Sequence, residues 1–447
     1  MSKQEGKLQQ NITLIEAIAF SIGQIIGTGI FLKPTAIFQA THSTGISLLV
    51  WLAAGVITLC TALTIAEVAS YKPMIGGITS YVNEYNGKTL GFLSGWFFSI
   101  LNNPGTLAAN TIATATFISA VLPMNNVQIK VCAFIILWGL SLSQMFSVKG
   151  TMRFQLLGAV IQAAPIAIVV ILGLLNGANA NNINLSLIGD PNSPGASLGI
   201  ALLGAMWVYD GWQATANLGE EMVNPKRDFP KAIFYSISFL IVLFLAFNYV
   251  GFKLIPAEEL LNSQNIGANI SEKLFGQHGV LLMTILMVIC STFTMNAEIV
   301  QATRDVLYQA RQNNLIGAKW IRHIHPKTDT PINAIIFQGI LSTIVMLTGT
   351  FESISLLIIF FIWIFILFVL WDVFKLRKQK EIQRSFSTPL FPITPIIGIL
   401  GGLFMLLSAV SSNPMNFVVG LIVILMGFPI YYYCHNVLYK GEKPVEK

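Results

Sequence analysis

The chain reads as an all-α integral membrane protein with 12 transmembrane helices, and three observations carry that reading. Of its 447 residues, 54% are hydrophobic and only 10% charged, with a mean hydropathy of +0.69; a soluble chain carries about 25% charged residues. Apolar runs long enough to cross a bilayer, roughly 20 residues each, follow one another with little sequence between them. All but four of the 26 Lys and Arg fall on one side of the topology those runs define. Together these features exclude an ordinary soluble enzyme, a disordered chain and a nucleic-acid-binding module. The net charge of +6 is then a property of cytoplasmic loops.

The elements follow in order. A polar start over residues 1–11 leads into the first apolar run, 13–39, which continues past any cleavable length, so no signal peptide is expected. The remaining runs are 44–71, 90–121, 128–147, 150–176, 196–222, 230–254, 275–311, 331–349, 352–374, 393–411 and 416–438. Seating the N-terminus inside leaves only Lys33, Lys130, Lys253 and Lys273 outside, so both termini are expected in the cytoplasm. Residues 176–194, rich in Asn, Gly and Ser, read as an external linker. The basic run at 375–384 reads as a cytoplasmic loop, with contact to anionic lipid as a secondary role. Cys60, Cys132, Cys290 and Cys434 lie in or beside apolar runs and show neither a pairing framework nor metal-ligand spacing.

Two runs are interrupted. The first contains Gly27-Thr28-Gly29, and glycine disfavours helix by about 1 kcal/mol relative to alanine. The sixth contains Tyr209-Asp210-Gly211-Trp212, with an acid at mid-span, where ionisable groups mark function. A single glycine break is as readily a close-packing position. A pair is different: the first run opens one set of five and the sixth opens the next, and interrupted helices at corresponding places point to a transport site. N–H groups freed at such a break suit an anion and freed carbonyls suit a cation. Two facing breaks therefore suit the zwitterion of an α-amino acid.

These residues also carry a resemblance. Gly23-Gln24-Ile25-Ile26-Gly27-Thr28-Gly29-Ile30-Phe31 resembles the first-helix motif of the amino acid–polyamine–organocation permeases. Trp207-Val208-Tyr209-Asp210-Gly211-Trp212 and the stretch at 220–233 resemble their sixth helix and following loop. The match looks closest to the L-type amino acid transporter branch with its bacterial serine/threonine-exchanger relatives, and Glu67, Pro73, Gly76-Gly77 and Tyr81 sit where that branch has them. The resemblance implies a LeuT-type fold: two inverted five-helix repeats at 12–176 and 196–375 joined by an external linker at 177–195, a cytoplasmic loop at 376–392, helices 11 and 12 within 393–438, and a cytoplasmic tail at 439–447. It also implies that a substrate carboxylate lies on the N–H groups of Thr28 and Gly29, and the substrate amine on carbonyls of Ile25, Trp207 and Asp210. Gly27 and Gly211 would let the backbones approach, and Trp207 would shut the site from outside; the rival reading of Trp207 is an interfacial or core aromatic. The Asp210 side chain has two readings: it pairs with N–H groups freed at its own break, or it favours cationic substrates.

Two positions depart from the family pattern. Where the family has a fifth-helix Lys in the place of sodium, this chain has Gln162. Where it has a small residue in the eighth helix, this chain has Glu298. The expected coupling is therefore independent of sodium, by exchange or with proton assistance through Glu298; the bland alternative is that Glu298 pairs with Arg304. Thr292 and Thr294 could still offer hydroxyls to a sodium ion.

Other signals do not survive. Gly87-Lys88-Thr89 lacks the preceding glycine and strand of a phosphate loop. Asn11, Asn184 and Asn269 sit in short glycosylation patterns that are common by chance. His323 and His325 make no closed metal set. No cofactor motif and no nucleophile–base pair is visible at membrane depth.

The expected function is secondary transport of L-amino acids, neutral ones first, in a plasma membrane and most simply a bacterial inner membrane. The alternatives are a permease for cationic amino acids or polyamines and, from another class, an ion channel, which would need a continuous polar pore. Expected partners are the substrate and the lipid bilayer, with no nucleic acid. Animal members of the branch pair with a single-span glycoprotein through a cysteine in the loop between helices three and four; residues 123–130 hold none, so no disulfide-linked heavy subunit is expected.

Overall fold

The computed structural model describes residues 12–74, 76–119, 121–146, 148–176, 197–219, 221–263, 265–326, 328, 330–349, 351–379, 385–412, 414–442 and 444–445. The expected N-terminal tail, most of the external linker and the glycosylation patterns at Asn11 and Asn184 lie outside them. Among the described residues the secondary structure is helical, apart from isolated bridges at Ile12–Met222 and His325–Thr330.

Each expected span contains helix. The first is α1 (Leu14–Ile25) and α2 (Gly29–Thr41), the second α3 (Thr44–Tyr71). A short helix, α4 (Gly77–Asn86), precedes the third span, which is built from α5 (Lys88–Phe97), a π-helical turn (Phe98–Asn102) and α6 (Asn103–Ser119). Pro104 offers no N–H to the preceding turn, where the Ser99 carbonyl accepts from the Gln338 side-chain amide at 2.9 Å. Helices α7 (Asn126–Gln144) and α8 (Val148–Leu175) complete the first five. The sixth span is α9 (Leu198–Val208) followed by a 3₁₀ segment, Trp212–Leu218. Then come α10 (Pro225–Leu254), the short α11 (Ala257–Asn262) and α12 (Ile266–Phe275), α13 (Gly279–Arg311) and α14 (Ala318–Ile321). The chain closes with α15 (Ile332–Thr348), α16 (Phe351–Lys378), α17 (Ile393–Ser412), α18 (Pro414–Leu425) and α19 (Gly427–Tyr433).

By length and composition, six stretches among the described residues can each cross a membrane: α3, α7, Gln155–Leu175 of α8, α10, α13 and Phe417–Leu438. The pair α1 and α2, bent by 47° at the break, qualifies together as a seventh. The third and sixth spans fall short as single helices because they are interrupted, and α15 is 17 residues long. Phe146, Leu157, Val160, Leu175 and Leu407 lie more than half exposed, as side chains meeting lipid would.

The core is aromatic around α3, α9 and α10, where Trp51, Tyr209 and Phe244 meet edge-on or tilted. One end of the helix bundle is tied by ion pairs. Glu67 of α3 takes two bonds from Arg377 of α16, at 2.9 and 2.7 Å, and one from the Thr388 N–H. Arg304 of α13 grips Glu221, beyond the sixth span, through both carboxylate oxygens. Glu221 lies in a strap: the Ile12 N–H meets its carbonyl at 2.9 Å, and the Val223 N–H returns to the Ile12 carbonyl at 3.0 Å.

Candidate substrate site

The first break begins where α1 runs out of acceptable residues. Its last bond joins the Ile26 N–H to the Ile22 carbonyl, and Ile26 itself is extended (φ −75, ψ 91). Backbone bonding resumes at Phe31, whose N–H meets the Thr28 carbonyl at 3.2 Å. The N–H groups of Gly27, Thr28 and Gly29 between them have no backbone partner among the described residues, and all three residues line a cavity. Donors left open at the start of α2 form a positive pole suited to a carboxylate. Gly29 is required by packing: a Cβ there would lie 2.7 Å from Cζ3 of Trp207 and 2.9 Å from Val208.

The second break treats its polar groups differently. Gly211 adopts φ +104, a conformation that favours glycine, and a Cβ on it would come 2.9 Å from the Gln24 carbonyl of α1. Its N–H is capped by the Gln213 side-chain oxygen at 3.1 Å, while the Gln213 amide donates to Asp210 Oδ1 at 3.1 Å. Asp210 is thus tied to its own break through the Gln213 side chain, and it lines the cavity.

The far wall comes from α6 and α13. Thr28 Oγ1 donates to Asn110 Oδ1 at 3.0 Å, and Asn110 Nδ2 donates to Glu298 Oε1 at 2.6 Å. One asparagine therefore joins the break in the first span to the carboxyl on α13. Thr294, Glu298 and Gln301 recur at helical spacing on one face of α13 and line the cavity together. Asn102, Asn103 and Thr106 reach it from the π turn and the start of α6. Asp305, one turn further on that face, accepts from Asn103 at 2.9 Å.

The cavity thus gathers Ile25, Gly27, Thr28, Gly29, Trp207, Asp210, Gly211 and Glu298 from the residues singled out in the sequence. Trp207 also carries Lys33 of α2 over its ring, at 5.5 Å from the centroid. Lys33, one of the four outer charges counted from the sequence, is buried. Gln162 does not line the cavity. Its amide nitrogen sits among four oxygens, donating toward the carbonyls of Gly23 (3.3 Å), Ile26 (2.8 Å) and Cys290 (2.9 Å) and Thr294 Oγ1 (3.1 Å). Thr294 Oγ1 in turn donates to the Ile26 carbonyl at 2.6 Å. A single neutral amide thereby fills an oxygen cage between α1, α8 and α13. Among the described residues no three His, Cys, Asp or Glu side chains come together as a metal-ligand set.

One expectation is corrected. Glu298 does not pair with Arg304, which is committed to Glu221. Six helical residues turn through 600°, which places Arg304 about 120° around α13 from Glu298, out of reach. The sequence reading also passed over Asn102, Asn103, Asn110, Gln213 and Gln301. A signal existed: three asparagines within nine residues of an apolar run are costly unless they face a cavity or one another.

The amino acid permease family model matches residues 12–436. The serine/threonine exchanger SteT of Bacillus subtilis (strain 168) is 30% identical over 436 residues, covering 97% of this chain and 98% of that protein. The b(0,+)-type amino acid transporter 1 of Mus musculus is 28% identical over 453 residues, covering 98% and 92%. The cystine/glutamate transporter of Homo sapiens is 27% identical over 434 residues, covering 95% and 85%. These relatives are transporters, not enzymes. With that match over nearly its whole length, and with two broken helices around one polar cavity, the chain belongs to the amino acid permease family of the amino acid–polyamine–organocation superfamily.

Proposed function

We infer that the protein is a secondary transporter of L-amino acids that works by alternating access and exchange, without sodium, in the plasma membrane of a bacterium. The observation that carries this reading is the pairing of breaks around one cavity. Unpaired N–H groups of Gly27, Thr28 and Gly29 stand on one side and Asp210 on the other. An α-carboxylate and an α-ammonium find complementary partners there, and neither would be left buried and unpaired. Two inverted five-helix repeats, 12 crossings and cytoplasmic termini complete the reading, supported by the positions of the breaks and by the Lys and Arg distribution. The exchanger relative from Bacillus subtilis supports exchange and a bacterial cell membrane. The amide of Gln162 supports sodium independence, since it already occupies the oxygens an ion would use. The cavity is lined by isolated polar points rather than a continuous pore, which favours a transporter over a channel. Transport by the chain alone, with no linked heavy subunit, agrees with a 123–130 loop that holds no cysteine.

The test is counterflow in proteoliposomes holding the purified chain. Internal unlabelled amino acid should accelerate entry of labelled amino acid at least fivefold, equally in sodium and in choline buffers. A strict need for a sodium gradient would overturn the coupling. Net uptake driven by a pH gradient into empty vesicles, at the counterflow rate, would replace exchange by proton-assisted uptake.

A further inference from the structure

Resting on the amino acid transport reading, we propose that the preferred substrates are L-amino acids whose side chain ends in a cation, an ammonium or guanidinium received by Glu298. This departs from the neutral substrates expected from the sequence. Among the residues lining the cavity, Asp210 and Glu298 are the charged ones, and no Lys, Arg or His lines it. Two acids lining one cavity need compensation, because a charge drawn out of water without a partner is costly.

The nearby cations are spoken for. Arg304 is gripped by Glu221, and Lys33 is held over the Trp207 ring. Asn110 satisfies one oxygen of Glu298, but Oε2 is buried with no hydrogen-bond partner among the described residues. Asn102 Oδ1, also from the cavity lining, is buried and unpartnered among them as well. Open acceptors on this wall call for a ligand rich in N–H donors.

The layout divides the work. Asp210 and the break carbonyls would take the α-ammonium, while Glu298 reaches the same cavity from α13. The Thr28–Asn110–Glu298 bonds hold that carboxyl at a fixed place relative to the N–H groups for the α-carboxylate. A side-chain cation reaching Glu298 would make charge-assisted bonds that a neutral side chain of the same shape cannot.

Arginine and citrulline share nearly the same shape and differ in that charge, as do lysine and norleucine. In proteoliposomes loaded with a mixture of amino acids, unlabelled arginine, lysine or ornithine should inhibit labelled uptake at concentrations at least tenfold below citrulline or norleucine. Glu298→Gln should narrow that preference at least tenfold, whatever its overall rate. Glu298→Asp, which keeps the charge, should preserve a cationic preference. Equal inhibition by arginine and citrulline in the wild type would overturn the proposal while leaving amino acid transport standing. An unchanged preference in Glu298→Gln would overturn it too. Transport of no amino acid class would overturn this proposal and the reading beneath it together.

Discussion

The two helix breaks solve one problem in opposite ways. At the first, Gly27, Thr28 and Gly29 leave backbone donors open to the cavity, and the Thr28 hydroxyl is spent on Asn110. At the second, Gln213 caps the Gly211 N–H and holds Asp210 in the same gesture. The first break is incomplete until something binds; the second is nearly complete by itself. Binding energy should therefore concentrate at the first break, while the second supplies shape and a fixed carboxylate. An unpaired donor is tolerated at this depth only where it lines a cavity.

The largest way to break this contrast is Gly29→Val. The new side chain would run into Trp207 where backbone and carboxylate meet, so uptake should fall at least 100-fold while expression and purification stay normal. Near-normal uptake would reduce the first break to a packing feature. Next comes Gly211→Ala, strained at φ +104 and 2.9 Å from the Gln24 carbonyl. It should cost about 1–3 kcal/mol, read as a lower unfolding temperature, and slow uptake about tenfold. Gly204→Ala on α9 is its control, since a Cβ there meets Ile37 at 3.4 Å, an ordinary contact. The smallest effect belongs to Gln213→Ala, which unpairs the Gly211 N–H and one oxygen of Asp210. An apparent KM raised about five- to tenfold, with maximal rate changed less, is the expected pattern for a lost bond of about 1 kcal/mol. A larger loss than Gly29→Val would reverse the assigned roles of the breaks.

Much of the site was legible because it sits in irregular sequence. Glycine pairs inside apolar runs and an acid at mid-span stand out against a helix pattern, and both breaks were found where the chain departs from α1 and α9. The wall from α6 was not legible. Asn102 and Asn103 reach the cavity because the π turn before Pro104 shifts the helix face, and a shift of register leaves no mark in hydropathy. Partner choice was likewise hidden. Arg304 lies near Glu298 in sequence, yet its partner is Glu221, in a different segment brought close by the fold. Gln162 was recognised as a departure, but its four oxygen neighbours come from two other segments, the end of α1 and α13, which no spacing rule assembles.

The strap at Ile12 bears on how the molecule can move. Two backbone bonds stitch Ile12, two residues before α1, to the segment after the sixth span, and Ser21 of α1 bonds Thr215 of the 3₁₀ segment at 2.6 Å. The bidentate grip of Arg304 on Glu221 fastens the same segment to α13. Separating the inner halves of the two broken spans would sever three hydrogen bonds, about 1 kcal/mol each, and parting the Glu221 segment from α13 would strand a buried charge. The inner halves are therefore best regarded as a single lever, with its fulcrum at the cavity. Whatever fills the cavity presses on that lever near its fulcrum, so small displacements there become larger ones at the strapped end.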